Sequence, residues 1–245
     1  MTTPVATPAA RRIALVGPVH PWRGGLAQYL QLLGETLQAH AEVRAVTFTR
    51  QYPDFLFPGT SQFDADAPRP RFPTEALLDS IGPWSWRRTA AHLERFAPGA
   101  VILKWWMPFF APSFASSVGP LRRRGTRVIL VCDNLIPHEP RFYDRAFSDW
   151  MMRNSDGYLV MSDSVERDLD RLALGASDLH GAVVVDIDLC SGLLDNRTDD
   201  RAARTDDLTN LFGRDLDRLD ARSVLTKLRP RRIDRLSHLT ENVDS

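Results

Sequence analysis

Apolar residues fall in short blocks along the first two thirds of this chain, and the blocks alternate with stretches of helical spacing. Ile13, Ala14, Leu15 and Val16 form the first block, closed by Gly17-Pro18. A continuous apolar run bounded by turn residues predicts a strand buried on both faces. Leu26, Tyr29, Leu30, Leu33 and Leu37 then recur at helical spacing, which predicts a helix over 26–39. A second strand is predicted over 43–48, so one β-α-β unit is complete by residue 50. The stretch 52–73 is rich in proline and acidic residues and reads as a long irregular loop, a kind that often carries function. Further on, the pattern predicts a helix over 89–97 stopped by Pro98-Gly99, and a strand over 100–104. It then predicts a helix over 112–124 interrupted near Gly119-Pro120, and a strand over 127–132. A helix over 144–154 places Phe147, Trp150 and Met151 on one face, and a strand comes next over 157–161. The last helix, over 162–172, has Ser162 at its N-cap and Val165, Leu169 and Leu172 on its buried face. Such alternation is the signature of an α/β protein with a doubly wound parallel sheet, Rossmann-like in character.

The alternation stops near residue 175. Residues 182–189 could add one more strand, but Arg, Asp and Leu dominate the rest of the chain, and Phe212 is the only aromatic residue after Tyr158. So few large apolar side chains do not make a second packed domain. The chain therefore divides into a flexible N-terminus (1–11), a Rossmann-like domain (12–175) and an atypical tail (176–245), mostly helical or disordered. The remaining composition excludes more than it assigns. Apolar residues make up 43% of the chain and the formal net charge is zero, so a core is expected and no global field favours nucleic acid. Lysine occurs only at Lys104 and Lys227. Cys132 and Cys190 give neither a disulfide framework nor metal-ligand spacing, and Cys132 reads as a buried strand thiol. Residues 1–10 lack the apolar stretch of a signal peptide, and no apolar run reaches the roughly 18 residues needed to span a bilayer.

Candidate chemistry gathers at the carboxyl ends of the predicted strands, where open α/β sheets bind ligands. Gly24-Gly25 lies between the first strand and its helix, where backbone N–H groups favour phosphate and glycine allows close approach. The same position also suits a plain tight turn. Arg23 could add a phosphate contact, and His20 could touch phosphate or acceptor. After the strand over 127–132 come Asp133, Asn134, His138 and Glu139, four polar groups in seven residues. They could orient a hydroxyl or take its proton, with His138 and Asp133 as the candidate bases. Asp133 and Asn134 could equally cap the turn that Pro137 stiffens. Lys104 ends a buried strand, and Ser162 opens a helix on the same side. Trp84/Trp86 and Trp105/Trp106/Phe109/Phe110 form aromatic clusters, which suit either core or an apolar acceptor or membrane contact.

Four blocks, taken in order, resemble one bacterial branch of the GT4 class of glycosyltransferases (glycosyl transferase group 1), which have the GT-B fold. The first is Gly17-Pro18, His20-Pro21 and Arg23-Gly24-Gly25-Leu26-Ala27 after the opening strand, with Tyr52-Pro53-Asp54-Phe55-Leu56-Phe57-Pro58-Gly59 following the second strand. The next is Lys104-Trp105-Trp106-Met107-Pro108-Phe109-Phe110-Ala111-Pro112. Then come Cys132-Asp133-Asn134-Leu135-Ile136-Pro137-His138-Glu139 and Asp156-Gly157-Tyr158-Leu159-Val160-Met161-Ser162. The resemblance covers residues 12 to 172. It implies the N-terminal, acceptor-side domain of a GT-B enzyme, with His138 and Asp133 as catalytic candidates and Gly24, Gly25 and Arg23 facing the donor pyrophosphate. His20, Asn134, Glu139, Lys104 and Ser162 become substrate contacts.

The family's second domain binds the sugar nucleotide, and after residue 172 no second glycine-rich loop or nucleotide-binding β-α-β unit is recognisable. The implied activity is retaining transfer from a nucleotide sugar to a glycan or lipid-linked acceptor, with the nucleotide sugar as co-substrate and no cofactor or metal. The expected location is cytoplasmic, with peripheral contact at the inner membrane face allowed. Three origins fit the tail: a truncated enzyme half, a gene read out of frame beyond residue 175, or a sugar- or partner-binding module of a split transferase. The last predicts a separate donor-binding subunit, and an uncovered cleft predicts self-association.

Overall fold

The computed structural model describes residues 11–53, 63–64, 66–135, 141–160, 164–165 and 167–169. Its frame is one parallel sheet of six strands: β1 (Arg12–Val16), β2 (Glu42–Arg50), β3 (Thr74–Asp79), β4 (Ala100–Trp105), β5 (Arg127–Cys132) and β6 (Gly157–Val160). They lie in the order β3-β2-β1-β4-β5-β6, so the chain starts in the middle, winds outward to β3, then crosses back to β4 and winds out the other way. The connecting helices are α1 (Gly25–Leu37), α2 (Pro83–Phe96), α3 (Ala111–Arg122) and α4 (Asp144–Arg153), with a short 3-10 turn (Pro108–Phe110) leading into α3.

The two faces of the sheet carry separate cores. Strands β1, β4 and β5 are apolar on both faces because helices cover both. On one face α1 buries Tyr29, Leu30, Leu33 and Leu37 against Ile13, Leu15, Ile102 and Val131. On the other, α2, α3 and α4 pack side by side and bury Leu93, Phe114, Val118 and Met151 with Val16, Leu103, Trp105 and Leu130. Aromatic rings interlock on this second face: Phe48, Trp106, Phe110 and Phe114 meet at 4.4–6.5 Å, with Tyr52 and Phe109 at the margin. Hence Trp105 and Phe110 are core residues, while Trp106 packs half-buried against them and its indole donates to the Tyr52 hydroxyl at 2.7 Å.

Three features differ from the pattern read off the sequence. Strand β3 begins directly after the stretch expected to be loop, at residues to which the pattern assigns no element. It is an edge strand with one fully buried residue, Leu78, so its apolar signal is weak. Helix α2 begins six residues before the expected start, with Pro83 in its first turn, where a missing N–H removes nothing. Helix α3 runs uninterrupted through Gly119-Pro120. Pro120 falls in the last turn, and Arg123 N–H still closes on the Gly119 carbonyl at 3.1 Å. Val165 and Leu169 are buried in helical backbone as expected. Ser162, Leu172, Cys190 and the tail lie outside the described residues.

Asp156 fixes the far end of the sheet. Its Oδ1 accepts from Arg122 Nε at 3.0 Å and its Oδ2 from the Val128 N–H at 2.9 Å, so one carboxylate ties α3 to the first residues of β5 and β6. Asp156→Ala should lower the unfolding free energy by about 1.5–3 kcal/mol, the range for loss of a charge-assisted bond. Urea denaturation checks this, and an unchanged midpoint would show that water replaces both bonds.

Candidate active site

The strand order reverses between β1 and β4, and the crevice beyond their carboxyl ends is where an open α/β sheet binds ligands. The loop after β1 forms one wall. Gly17 packs so closely on the neighbouring strand that a Cβ there would stand 3.0 Å from Lys104 Cβ and 2.8 Å from Leu30 Cδ2. Val19 and Trp22 then turn inward: Val19 N–H donates to Thr47 Oγ1 at 3.3 Å, and the Trp22 indole donates to the Phe48 carbonyl at 3.1 Å. With the loop anchored on β2, Arg23, Gly24 and Gly25 stand exposed at the start of α1. Gly24 has φ 106°, a left-handed conformation that disfavours any side chain, and no neighbour would obstruct a Cβ at Gly24 or Gly25. Open backbone at the positive end of a helix is what an anionic group requires.

Lys104 and Asp133 lie on the other side of the crevice. Lys104 is on β4, on the α1 face with Ile102, and is fully buried. Its ammonium bonds to Asp133 Oδ1 at 2.8 Å and lies 4.0 Å from the centre of the Tyr29 ring on α1. Such a site satisfies an ammonium only with a counter-charge and a π face. Asp133 follows β5, and its N–H is held by the Trp105 carbonyl at 2.9 Å. Burial raises the Asp133 carboxyl above the usual range, and the Lys104 charge and hydrogen bond only partly offset it. Two polar atoms here are closed to solvent and have no partner among the described residues: Asp133 Oδ2 and His20 Nε2. Buried polar atoms are normally bonded, so each is an exception that a ligand group or a water would satisfy.

Thus the fold brings His20, Arg23, Gly24, Gly25, Lys104, Asp133 and Asn134 to one edge of the sheet. The Lys104 head is enclosed by protein and held by Asp133. His138, Glu139 and Ser162 lie outside the described residues. Sequence reasoning missed Tyr29 as part of the site. Its helical spacing marks it as core, and nothing local signals that it faces a lysine some 75 positions away. The Cys132 thiol is wholly buried, and burial pushes its proton affinity up, so it is inert.

Structural comparison aligns this chain with several solved proteins at low identity. A UDP-N-acetylglucosamine 2-epimerase from Rickettsia bellii aligns at 13% identity and TM-score 0.47, over 67% of this chain and 42% of its own. The corresponding epimerase from Methanocaldococcus jannaschii aligns at 12% identity and TM-score 0.46, over 78% of this chain and 52% of its own. A sucrose-phosphate synthase chain from Thermosynechococcus elongatus aligns at 14% and 0.47, over 82% of this chain and 97% of its own. This chain thus spans about half the length, or less, of the two epimerases. No curated protein sequence matches it. A family model described as a glycosyl transferase 4-like domain does match, over residues 24–181, well over half of the chain. The crevice, its glycine wall and the strand order fall within or beside that match, and the chain belongs to the glycosyl transferase 4-like domain family.

Proposed function

We propose that this domain is the acceptor side of a retaining glycosyltransferase that moves a sugar from a nucleotide sugar to a glycan or lipid-linked acceptor. The observation that carries the reading is Asp133 Oδ2, buried just past the carboxyl end of β5 with no partner among the described residues, while Oδ1 is held by Lys104. A carboxyl fixed by one oxygen offers the other to an acceptor hydroxyl, and its raised proton affinity suits it to receive that proton. His20 Nε2 supplies a second polar contact to the substrate, and Asn134, His138, Glu139 and Ser162 complete the acceptor side. Gly24, Gly25 and Arg23 face the donor diphosphate at the positive end of α1, which stabilises the leaving charge as transfer proceeds.

The described residues hold one sheet, so donor binding falls to a second unit, in the same polypeptide or in a partner. This favours one other reading, a non-catalytic sugar- or partner-binding module of a split transferase, which would bind acceptor but transfer nothing until its donor-binding subunit is added.

The test is transfer of labelled sugar from a panel of uridine and guanosine diphosphate sugars into glycan and lipid extracts. Asp133→Asn keeps the shape and should lower the rate by roughly 100-fold or more, the scale of general-base loss. Equal rates for variant and wild type would remove Asp133 from the mechanism. Acceptor binding without transfer would favour the module.

A further inference from the structure

We propose that the carboxyl rim of the sheet, where α2, the 108–110 turn and α4 begin, docks on an anionic lipid bilayer. The three starts belong to elements packed side by side on one face, and each presents a large apolar side chain to solvent. Ile81 and Trp84 at the head of α2 are 43% and 76% exposed, Met107 before the turn 38%, and Phe142 before α4 98%. Ser85 and Trp86, which come directly after Trp84, are tied inward to the Asp79–Gly82 backbone, so Trp84 is held outward by a rigid helix start.

Charge selects the partner. The Arg87 guanidinium lies 5.4 Å from the centre of the Trp84 ring, and Arg88, Arg141 and Arg145 are exposed beside these apolar tips. Among the described residues, Arg87, Arg88 and Arg145 have no acidic partner. Two of the acids at these helix starts are engaged: Asp79 pairs with Arg50, and Asp144 is buried and accepts from the Arg141 N–H. Indole and guanidinium together suit the headgroup zone, where the ring enters the acyl boundary and the cation meets phosphate. Separate apolar tips on three helix starts suit a deformable bilayer better than a single protein groove. Zero net charge across the whole chain makes this a local device, not a global attraction. The rim is also the edge that bears Gly24, Gly25 and Asp133, so docking sets the crevice at the lipid surface. The proposal does not depend on the reaction proposed above.

The experiment is co-sedimentation of the full chain with phosphatidylcholine vesicles, with and without phosphatidylglycerol. Binding is expected only with the anionic lipid, and the Arg87→Glu/Arg88→Glu double variant should bind about tenfold more weakly or worse. Trp84→Ser and Phe142→Ser should each weaken it several-fold. Trp150→Ser, at the other end of α4, should bind as wild type does. These side chains are exposed, and unchanged urea midpoints would confirm that the variants fold. No binding, equal binding to neutral vesicles, or an equal loss from Trp150→Ser would overturn the proposal. So would a dimer in light scattering that Trp84→Ser dissociates, which would assign the rim to a second copy of the chain.

Discussion

Lys104→Met is expected to lower the unfolding free energy by about 3 kcal/mol at pH 8, the scale for removing one member of a buried ion pair. Methionine fills nearly the same volume, so packing contributes little and the loss comes from Asp133, left without its counter-charge. The deficit should depend on pH in a set direction. Burial already raises the Asp133 carboxyl in the folded protein, and the lysine opposes that rise. Without the lysine the folded value climbs further above the unfolded one. Ionisation then disfavours the folded state, and stability falls as pH rises from the ordinary carboxylate range towards the raised value. The deficit relative to wild type should therefore be small near pH 4 and largest at neutral pH and above. Denaturation midpoints across that range test it. A deficit independent of pH would mean that Lys104 acts through packing alone. A Lys104→Met/Asp133→Leu double variant should recover part of the loss, since an apolar pair leaves no buried charge.

Gly34→Val should have an effect of similar size by a different route. Gly34 sits on the buried face of α1, where an added Cβ would come within 2.6 Å of Phe72 Cζ and 2.7 Å of Leu15 Cδ1. Helix propensity alone would favour valine over glycine by only about 0.4 kcal/mol, since a β-branched side chain loses χ1 freedom in a helix. Overpacking a filled site costs about 1–3 kcal/mol even for small additions, and valine adds two methyl groups beyond the Cβ. The expected net loss is about 3 kcal/mol, because those methyl groups push the cost past that range and outweigh the propensity gain. Leu15 is on the central strand and cannot retreat, so Phe72 must move, and Phe72 is two residues ahead of β3. Gly34→Val/Phe72→Leu should regain part of the stability in urea melts. A double variant no better than Gly34→Val would show that the strain falls on Leu15.

These two sites mark the boundary of what is legible in the sequence. The strands that carry the crevice are readable because burial on both faces leaves unbroken apolar blocks, as in Ile13–Val16 and Val128–Cys132. The positions of the glycine loop and of Asp133 at the carboxyl edge are readable because each segment follows such a block. Strand β3 is not, because an edge strand with charged residues on its outer face lacks that block. The early start of α2 is hidden behind Pro83, a residue that both breaks helices and begins them. The pairing of Lys104 with Asp133 and Tyr29 joins three elements far apart in the chain, and local spacing carries no trace of it. Trp84 and the aromatic run from Trp105 to Phe110 both admit core and surface readings, and only the packed structure separates buried Trp105 from exposed Trp84.

The strand order has one more consequence. β1 pairs with β2 across a single helix, and β4, β5 and β6 succeed one another through short returns, so most of the sheet is made of local contacts. The seam between β1 and β4 is different. Pairing Ile13 with Ala100 closes a loop that holds all of α1, β2, β3 and α2. The entropy of closing a loop grows with its length, so this seam is the join in the sheet that chain entropy opposes most. Gly17, pressed against Lys104, sits at the end of that seam. The crevice therefore exists only once the two halves of the domain have met, and neither half alone can carry it.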